Sequence, residues 1–246
     1  MKMKYIILGF LALVFFAACK KDFDGRTPEN ANITGSAYVR FFAGSMGAAR
    51  NFISIDNQRL NGSPLTMGGL FPGASTVTAF ITIPAGTRTV SVVDSAAVPA
   101  QSPLSFTRDF SAGQYYTIFT YDTSNAVKAL VTNDVFTIPT DTTANLRFVN
   151  AISTTVPVTN VEVFSRARQA VIFSNIPTLG VSAFIAHRTL VNDTLDVREA
   201  GVPTNILASV NGFTFNPKRT YTLVFRGRYQ STGGTMARGA NIIATY

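Results

Sequence analysis

Residues that could carry chemistry are few and scattered in this sequence. Histidine and cysteine occur once each, as His187 and Cys19, and no cysteine or carboxylate stands at metal-ligand spacing beside the histidine. A zinc site needs about three or four such ligands, and a Ser-His-Asp triad needs a carboxylate that orients the base. We therefore interpret His187 as a strand-end or loop residue and expect no metal site.

The carboxylates and glycines show no catalytic pattern either. Acidic residues occur singly, without the Asp-x-Asp-x-Asp-Gly loop that holds calcium. Glycoside hydrolysis needs two carboxylates roughly 5 to 10 Å apart, and no spacing here predicts such a pair. The glycine pairs at Gly68-Gly69 and Gly233-Gly234 precede no predicted helix that could hold phosphate. We expect a protein that is not an enzyme and has no cofactor, with a hydrolase cleft built from both halves of the chain as a minor alternative.

The N-terminus resembles an export signal. Lys2 and Lys4 precede an apolar run from Ile6 to Phe16, which is too short to span a bilayer comfortably. The string Phe-Ala-Ala-Cys that ends at Cys19 resembles the lipobox of bacterial lipoprotein precursors, with Phe16 where Leu is commoner. We predict a signal peptide over residues 1–18 and a lipid on Cys19. The alternative is an incidental thiol after an ordinary signal peptide or a membrane-anchor helix.

The residues after Cys19 are typical of a tether. Residues 19–35 combine charged side chains with Pro, Asn and Thr, a composition that favours a flexible linker. Asp22 and Asp24, among lysines, resemble the export signals of surface lipoproteins in Bacteroidota-type bacteria. We expect a membrane partner through the lipid and a location in the cell envelope at the outer membrane, on either its periplasmic or its surface side.

The remaining chain repeats itself at an offset of about 105 residues. Short strings return in the same order, as Arg40-Phe41 with Arg147-Phe148, Phe80-Ile81 with Phe184-Ile185, and Tyr116-Thr117 with Tyr221-Thr222. Two copies of one domain explain this order economically. We predict a first copy over residues 36–136, a proline-containing linker over residues 137–143 and a second copy over residues 144–246.

Each predicted copy is rich in β-strand signals. Alternation of apolar and polar residues, as in Thr89-Val90-Ser91-Val92, has the period of a half-buried strand. Turn residues separate such runs at short intervals, about seven per copy, and no helical pattern lies between them. The fold prediction is all-β, with two tandem immunoglobulin-like antiparallel β-sandwiches.

These residues support a family resemblance. The Arg-Phe-x-Asn-Ala block that begins at Arg147, the Pro-Ala-Gly turn that begins at Pro84, and the late Ala-Gly-Gln-Tyr-Tyr string that begins at Ala112 resemble the bacterial domain of unknown function DUF4397. In the second copy the Pro-Ala-Gly turn is replaced by a run beginning at His187, which departs from the pattern. The resemblance implies tandem β-sandwiches in exported proteins and brings no established catalytic residues.

Charge is distributed unevenly between the predicted copies. From Ser36 to Thr142 six basic residues balance six acidic ones, whereas from Thr143 onward ten basic residues face four acidic ones. Residues two apart on a strand share a face, so we predict an anion-binding patch in the second copy. Its members are Arg166, Arg168, Lys218, Arg219, Arg226 and Arg228.

The predicted envelope location and the basic charge of the second copy narrow the possible functions. We expect no nucleic-acid partner outside the cytoplasm, and predict binding to an anionic envelope component, an acidic glycan or an envelope protein. The alternatives are a merely basic solvated face and, from another class, a glycan-binding lipoprotein of an outer-membrane uptake system. Because the chain has no Trp, Tyr115, Tyr121 and Tyr229 are the candidate stacking residues for sugar.

Overall fold

The computed structural model describes residues 33–47, 51–76, 79–95, 104–123 and 126–246, and almost every element in them is a β-strand. The predicted signal peptide and Cys19 lie outside the described residues. Residues 34–246 form one compact unit. We refer to residues 34–136 as the first half, to residues 137–143 as the linker and to residues 144–246 as the second half.

The first half contains nine described strands. They are β1 (Ser36–Ala43), β2 (Asn51–Ile55), β3 (Gln58–Arg59), β4 (Leu70–Phe71), β5 (Ile81–Pro84), β6 (Gly86–Asp94), β7 (Leu104–Phe110), β8 (Tyr115–Tyr121) and β9 (Lys128–Asn133). One sheet has the order β4-β1-β8-β9, with β5 also paired to β1, and the other has the order β3-β2-β6-β7.

The second half contains eight strands in a matching arrangement. They are β10 (Ala144–Ser153), β11 (Val161–Ser165), β12 (Ala170–Ile176), β13 (Ile185–His187), β14 (Asn192–Glu199), β15 (Ile206–Thr214), β16 (Thr220–Arg228) and β17 (Gly239–Ala244). The sheets have the orders β13-β10-β16-β17 and β12-β11-β14-β15. The described helices are two single 3-10 turns, Ile33–Gly35 and Gly234–Met236.

The predicted all-β sandwich architecture is confirmed, but the strand order differs from the immunoglobulin arrangement. Most pairs are antiparallel, whereas β1 pairs with β8 in parallel and β10 pairs with β16 in parallel. A constant-type immunoglobulin domain has antiparallel sheets of four and three strands. Here each half has two sheets of at least four strands, and its first strand lies beside the penultimate one.

Three apolar clusters explain the order of the layers. One cluster fills the sandwich of the first half, around Phe41 and Ile118, and another fills the second half, around Phe148 and Leu223. Alternate residues of the same strands point the other way and form a third cluster between the halves. Its buried members are Phe42, Leu70, Phe119, Val149, Ala151, Val224 and Ile243. The two parallel-paired sheets therefore pack face to face, giving four layers.

This third cluster also explains a departure from simple alternation. β2 alternates between buried and partly exposed residues, as a half-buried strand should. In contrast, β10 is buried at nearly every position, and β16 is buried from Thr220 to Phe225. Strands covered on both faces lose the period-two signal because both sets of side chains are removed from water.

Candidate functional site

Two buried arginines share one carboxylate where the halves pack. Arg147 Nη2 lies 2.5 Å from Asp134 Oδ1, and Arg40 Nη2 lies 3.9 Å from Asp134 Oδ2. All three residues are at most 2% exposed. Arg40 belongs to β1 and Arg147 to β10, whereas Asp134 directly follows β9. The chain of the first half therefore supplies the counter-ion for an arginine of each half.

Each arginine is held in the same way by its own half. Arg40 Nε donates to Thr117 Oγ1 at 2.7 Å, and Arg147 Nε donates to Thr222 Oγ1 at 2.9 Å. In both halves the threonine is the registered partner across the parallel strand pair. A phenylalanine ring covers each guanidinium at 4.9 Å, Phe80 over Arg40 and Phe184 over Arg147. These contacts fix both side chains in one geometry.

This ion cluster carries a surplus positive charge. Burial lowers the pKa of Arg40 to about 10, an effect that Asp134 opposes and the neighbouring Arg147 reinforces. Arg40 Nη1 donates to the Ala244 carbonyl at 2.6 Å, so the guanidinium also binds the last strand of the second half. The three side chains are almost fully buried, which suits a joint between the halves.

A second buried polar group surrounds the only histidine. His187 is the last residue of β13 and only 1% exposed, with Nε2 lying 3.3 Å from Asp193 Oδ2. The same oxygen accepts a hydrogen bond from Ser165 Oγ at 2.5 Å, and Phe215 packs edge-on against the imidazole at 4.6 Å. Burial lowers the pKa of His187, although Asp193 opposes the shift.

The arrangement around His187 is not that of a nucleophilic triad. Asp193 lies between Ser165 and His187, so the serine hydroxyl is bonded to a carboxylate and not to a base. Ser165 Oγ also accepts the N–H of Arg168 at 3.1 Å, which ties it to the following turn. The sequence predicted a strand-end or loop position for His187, which is the last residue of β13, but sequence reasoning missed its burial against Asp193. The six-residue spacing of the two carried no ligand signal.

The six predicted basic residues do not form one patch. Lys218 and Arg219 precede β16, whereas Arg228 ends it. A strand rises about 3.3 Å per residue, so roughly 30 Å separate these ends. Arg226 is half-buried, and its Nε donates to Asn241 Oδ1 at 2.7 Å. Arg228 Nε is buried without a hydrogen-bond partner among the described residues.

The charge of Arg166 is balanced by the carboxylate of Asp196. Its guanidinium makes a two-point contact with Asp196, with Nε at 2.7 Å from Oδ2 and Nη2 at 3.1 Å from Oδ1. Arg168 is exposed, and its Nη1 lies 3.4 Å from the Ala186 carbonyl. A basic residue that sequence reasoning omitted, Arg188, is also exposed next to buried His187. Four cations of the second half are thus both exposed and without an ion pair in the described ranges: Arg168, Arg188, Lys218 and Arg219.

One end of the body collects these cations, and we call it the linker end. It comprises residues 34–36, 111–116, 134–145, 166–169, 187–190, 215–219 and 244–246. Asn145, near the start of β10, joins several of these segments. Its Nδ2 donates to the Thr137 carbonyl at 2.5 Å, and its N–H donates to the Arg219 carbonyl at 2.8 Å. The linker is thereby fastened to the turn that precedes β16.

Two open grooves also lie at the linker end. One, of about 320 Å³, is lined by Val135, Phe136, Ile138 and Tyr246, and the rings of Phe136 and Tyr246 stack at 5.5 Å. Another, of about 550 Å³, is lined by Arg219 among other residues of the turn before β16 and of the end of β17. The linker residue Ile138 lines the first groove, whereas residues of both halves line the second.

The candidate sugar-stacking tyrosines are partly covered. Tyr115 is stacked on Tyr38 at 4.5 Å, and the Phe80 and Phe136 rings meet it edge-on. The guanidinium of Arg238 lies 5.8 Å from the Tyr229 ring. The aromatic residues Phe41, Phe148, Tyr116 and Tyr221, which recur at equivalent positions of the two halves, lie in the core.

The described residues hold no cluster of three or more His, Cys, Asp or Glu side chains that could bind a metal ion. Nor does any helix in the described ranges have the length and hydropathy needed to cross a bilayer. The fold and these sites define an all-β sandwich protein with a basic, partly apolar end.

The family follows from the sequence. The model of the domain of unknown function DUF4397 matches residues 37–162, more than half of the chain, so the chain belongs to this family. The match runs from β1 through the first half and the linker to the beginning of β11. No curated protein matches the sequence.

Proposed function

We propose that this chain is a non-enzymatic, membrane-anchored envelope lipoprotein whose second half binds an anionic envelope component or an acidic protein partner. The observation that carries the proposal is the linker end. There Arg168, Arg188, Lys218 and Arg219 are all exposed, and within the described ranges none of them pairs with a carboxylate. A set of unpaired cations on one surface attracts and orients anionic groups.

We also propose that the second half is a second copy of the family domain. Matching strand orders support this, as does the equivalent placement of Arg40 opposite Thr117 and Arg147 opposite Thr222. The position of Asp134 after β9 corresponds to that of Thr245 after β17, and each contacts the threonine of its half. The family match reaches only the start of this second copy, as expected if the copies have diverged.

The anchor is proposed from the sequence around Cys19. Two or three acyl chains on a lipidated cysteine hold a protein firmly to a membrane, whereas one chain does so only marginally. Cells that produce the full chain are labelled with radioactive palmitate, and Cys19→Ala serves as the matched variant. Label in the unsubstituted chain alone supports the anchor, and absence of label in both rejects it.

Binding at the linker end is tested with immobilised lipopolysaccharide and an acidic polysaccharide. The variant carries Arg168→Gln, Arg188→Gln, Lys218→Gln and Arg219→Gln. The control removes four cations from the first half, Arg59, Arg88, Arg108 and Lys128, also to Gln. We expect the first variant to lose at least tenfold in affinity, with the control close to the unsubstituted protein. Equal losses in both would show that only net charge matters.

A second candidate function is glycan capture for an outer-membrane uptake system. The groove lined by Phe136 and Tyr246 favours it, because Tyr246 is 40% exposed and offers an aromatic face. Neutral polysaccharide that binds the unsubstituted chain and not Tyr246→Ala would support this function. Binding that depends on the four linker-end cations instead would favour the first proposal.

A further inference from the structure

We propose that the linker end is a membrane-docking face that lies on an anionic bilayer surface. This inference deepens the proposed function, because it names a lipid bilayer as the anionic envelope component. It concerns the folded body alone, however, and does not require that Cys19 carries a lipid. Three features of the linker end support it: exposed apolar side chains, unpaired cations among them, and the point at which the chain enters the body.

Exposed apolar side chains concentrate at this end. Nine large apolar residues are exposed in the described ranges, and four of them belong to the linker end. These are Val135 (66% exposed), Ile138 (49%), Leu190 (70%) and Tyr246 (40%). Single exposed apolar residues are ordinary on a protein surface, but several beside one another with an aromatic ring are typical of a surface that contacts lipid or another protein.

The apolar residues and the cations are held together by the backbone. Val135, Ile138 and Tyr246 line one groove, and the linker connects that groove to the basic turn, where the Lys218 N–H donates to the Thr143 carbonyl at 2.8 Å. Leu190 is attached to the same turn, because its N–H donates to the Phe215 carbonyl at 2.9 Å. Cations next to exposed aliphatic and aromatic groups match the headgroup region of an anionic bilayer.

The chain enters the body at this same end. β1 begins at Ser36, whose carbonyl accepts the Gly113 N–H at 2.8 Å beside the groove residue Tyr115. Cys19 precedes Thr34 by fifteen residues, and an extended chain of that length spans at most about 50 Å. A lipid on Cys19 would therefore keep the linker end within reach of the membrane.

The opposite end of the body lacks this combination. There the cation Lys128 pairs with Asp122 at 2.9 Å, and Arg238 donates to the carbonyls of Leu207 and Tyr229 at 2.8 and 2.7 Å. Val156, near the end of β10, is 54% exposed, and the cation closest to it in the strand pairing, Arg228 beside Ser153, is partly buried, whereas Arg188 near Leu190 is exposed. Val156 thus provides an internal reference for an apolar residue that should not meet lipid.

The test uses the absence of Trp from this sequence, so that an introduced Trp is the only one. Full-length protein with Cys19→Ala, which removes the lipidation site, carries Leu190→Trp, Tyr246→Trp or Val156→Trp in separate variants. Each is mixed with vesicles of phosphatidylglycerol and phosphatidylcholine, with and without brominated acyl chains. We expect a blue shift and bromine quenching for Trp at positions 190 and 246, and neither for Trp at position 156.

A second set of variants measures how much the cations and the apolar side chains each contribute to vesicle binding. Lys218→Gln with Arg219→Gln should weaken vesicle binding roughly 25-fold, since each cation near such a surface contributes about a fivefold change in affinity. Ile138→Ser with Leu190→Ser should reduce the binding that persists at high salt, where charge is screened. The paired control is Arg59→Gln with Arg108→Gln, which removes the same charge from the first half and should leave binding within twofold.

The outcomes separate this inference from the proposed function. Equal signals from all three Trp positions, or no binding to vesicles at all, would overturn docking even if palmitate labels Cys19 and soluble acidic polysaccharide binds. Conversely, lipid contact at positions 190 and 246 without palmitate incorporation would retain docking and reject the anchor. Binding of neutral glycan at Tyr246 without lipid quenching would also overturn it.

Discussion

At the scale of single residues, the buried ionisable groups explain structure more than chemistry. Arg40 and Arg147 share Asp134 inside the body, and His187 shares Asp193 with Ser165. In both clusters a carboxylate has its oxygens occupied by donors from the protein. Such groups rigidify their surroundings and are costly to leave without partners, and their side chains are buried away from solvent.

His187 should make the free energy of unfolding depend on pH around the ordinary histidine pKa. Burial, opposed by Asp193 and assisted by Arg168, lowers the pKa of His187 below its ordinary value of 6.5. The unfolded chain therefore binds this proton more readily than the folded one, so the free energy of unfolding should fall as pH drops from about 7.5 to about 5.5. Urea unfolding across that range measures the slope.

The matched variant for this prediction is His187→Gln, which does not titrate. His187 is the only histidine, and the carboxylates with lowered pKa, such as Asp196, lose their stabilising effect only nearer their ordinary value of 3.8. The variant is expected to be less stable at neutral pH but nearly independent of pH above about 5.5. An identical slope in both proteins would show that the histidine is not responsible.

At the scale of elements, an equivalent tyrosine hydrogen bond stabilises the turn before β8 and the turn before β16. Tyr116 Oη accepts the Ser111 N–H at 3.0 Å, and Tyr221 Oη accepts the Asn216 N–H at 3.1 Å. In each half the tyrosine ring also packs edge-on against a buried phenylalanine, Phe110 or Phe215. The hydroxyl thus fixes the turn that leads into the parallel-paired strand.

Removing either hydroxyl should destabilise the protein by a similar amount. Tyr116→Phe and Tyr221→Phe each leave a turn N–H without its acceptor while keeping the ring in the core, at a cost of about 1 to 2 kcal/mol. Tyr121→Phe, at the partly exposed other end of β8, is the control and should change the free energy of unfolding by less than about 0.5 kcal/mol. Chemical denaturation compares the three. A large effect in only one half would mean that the two turns are not mechanically equivalent.

Much of the element structure could be predicted from the sequence. Alternation in Thr89-Val90-Ser91-Val92 identifies β6, and the repeated Arg-Phe strings coincide with β1 and β10. Strand order could not be predicted, because parallel pairing of β1 with β8 joins segments far apart in the chain. Turn residues and periodicity determine where strands begin and end, and carry little information about which strands pair.

At the scale of the whole molecule, the two halves pack into one compact unit and are not separate domains joined by a flexible linker. Phe42 and Phe119 of the first half pack with Val149 and Val224 of the second. Sequence alone left this packing open. Its signal was the arginine in each Arg-Phe string, since a charge at an alternating position normally faces water. Here both arginines face the other half.

The site could be predicted only in part for the same reason. Lys218 and Arg219 are exposed, as the charge distribution indicates, but Arg226 is half-buried and Arg166 is paired with Asp196. Spacing of two on a strand places Arg226 and Arg228 on one face without saying whether water or protein covers it. The linker end could not be predicted from the sequence, because only the folded chain brings the turns of both halves together.

Because the halves share Asp134, they should unfold together. Asp134→Asn removes the only carboxylate that contacts the buried Arg40 and Arg147 in the described part of the chain, which should lower the free energy of unfolding by about 3 kcal/mol or more. Hydrogen exchange followed by mass spectrometry should then show an equal loss of protection in β8 and in β16, since both strands pack in the shared cluster. The exposed Asp109→Asn is the control, expected to change neither. Loss of protection confined to one half would show that the halves are independent folding units that merely touch.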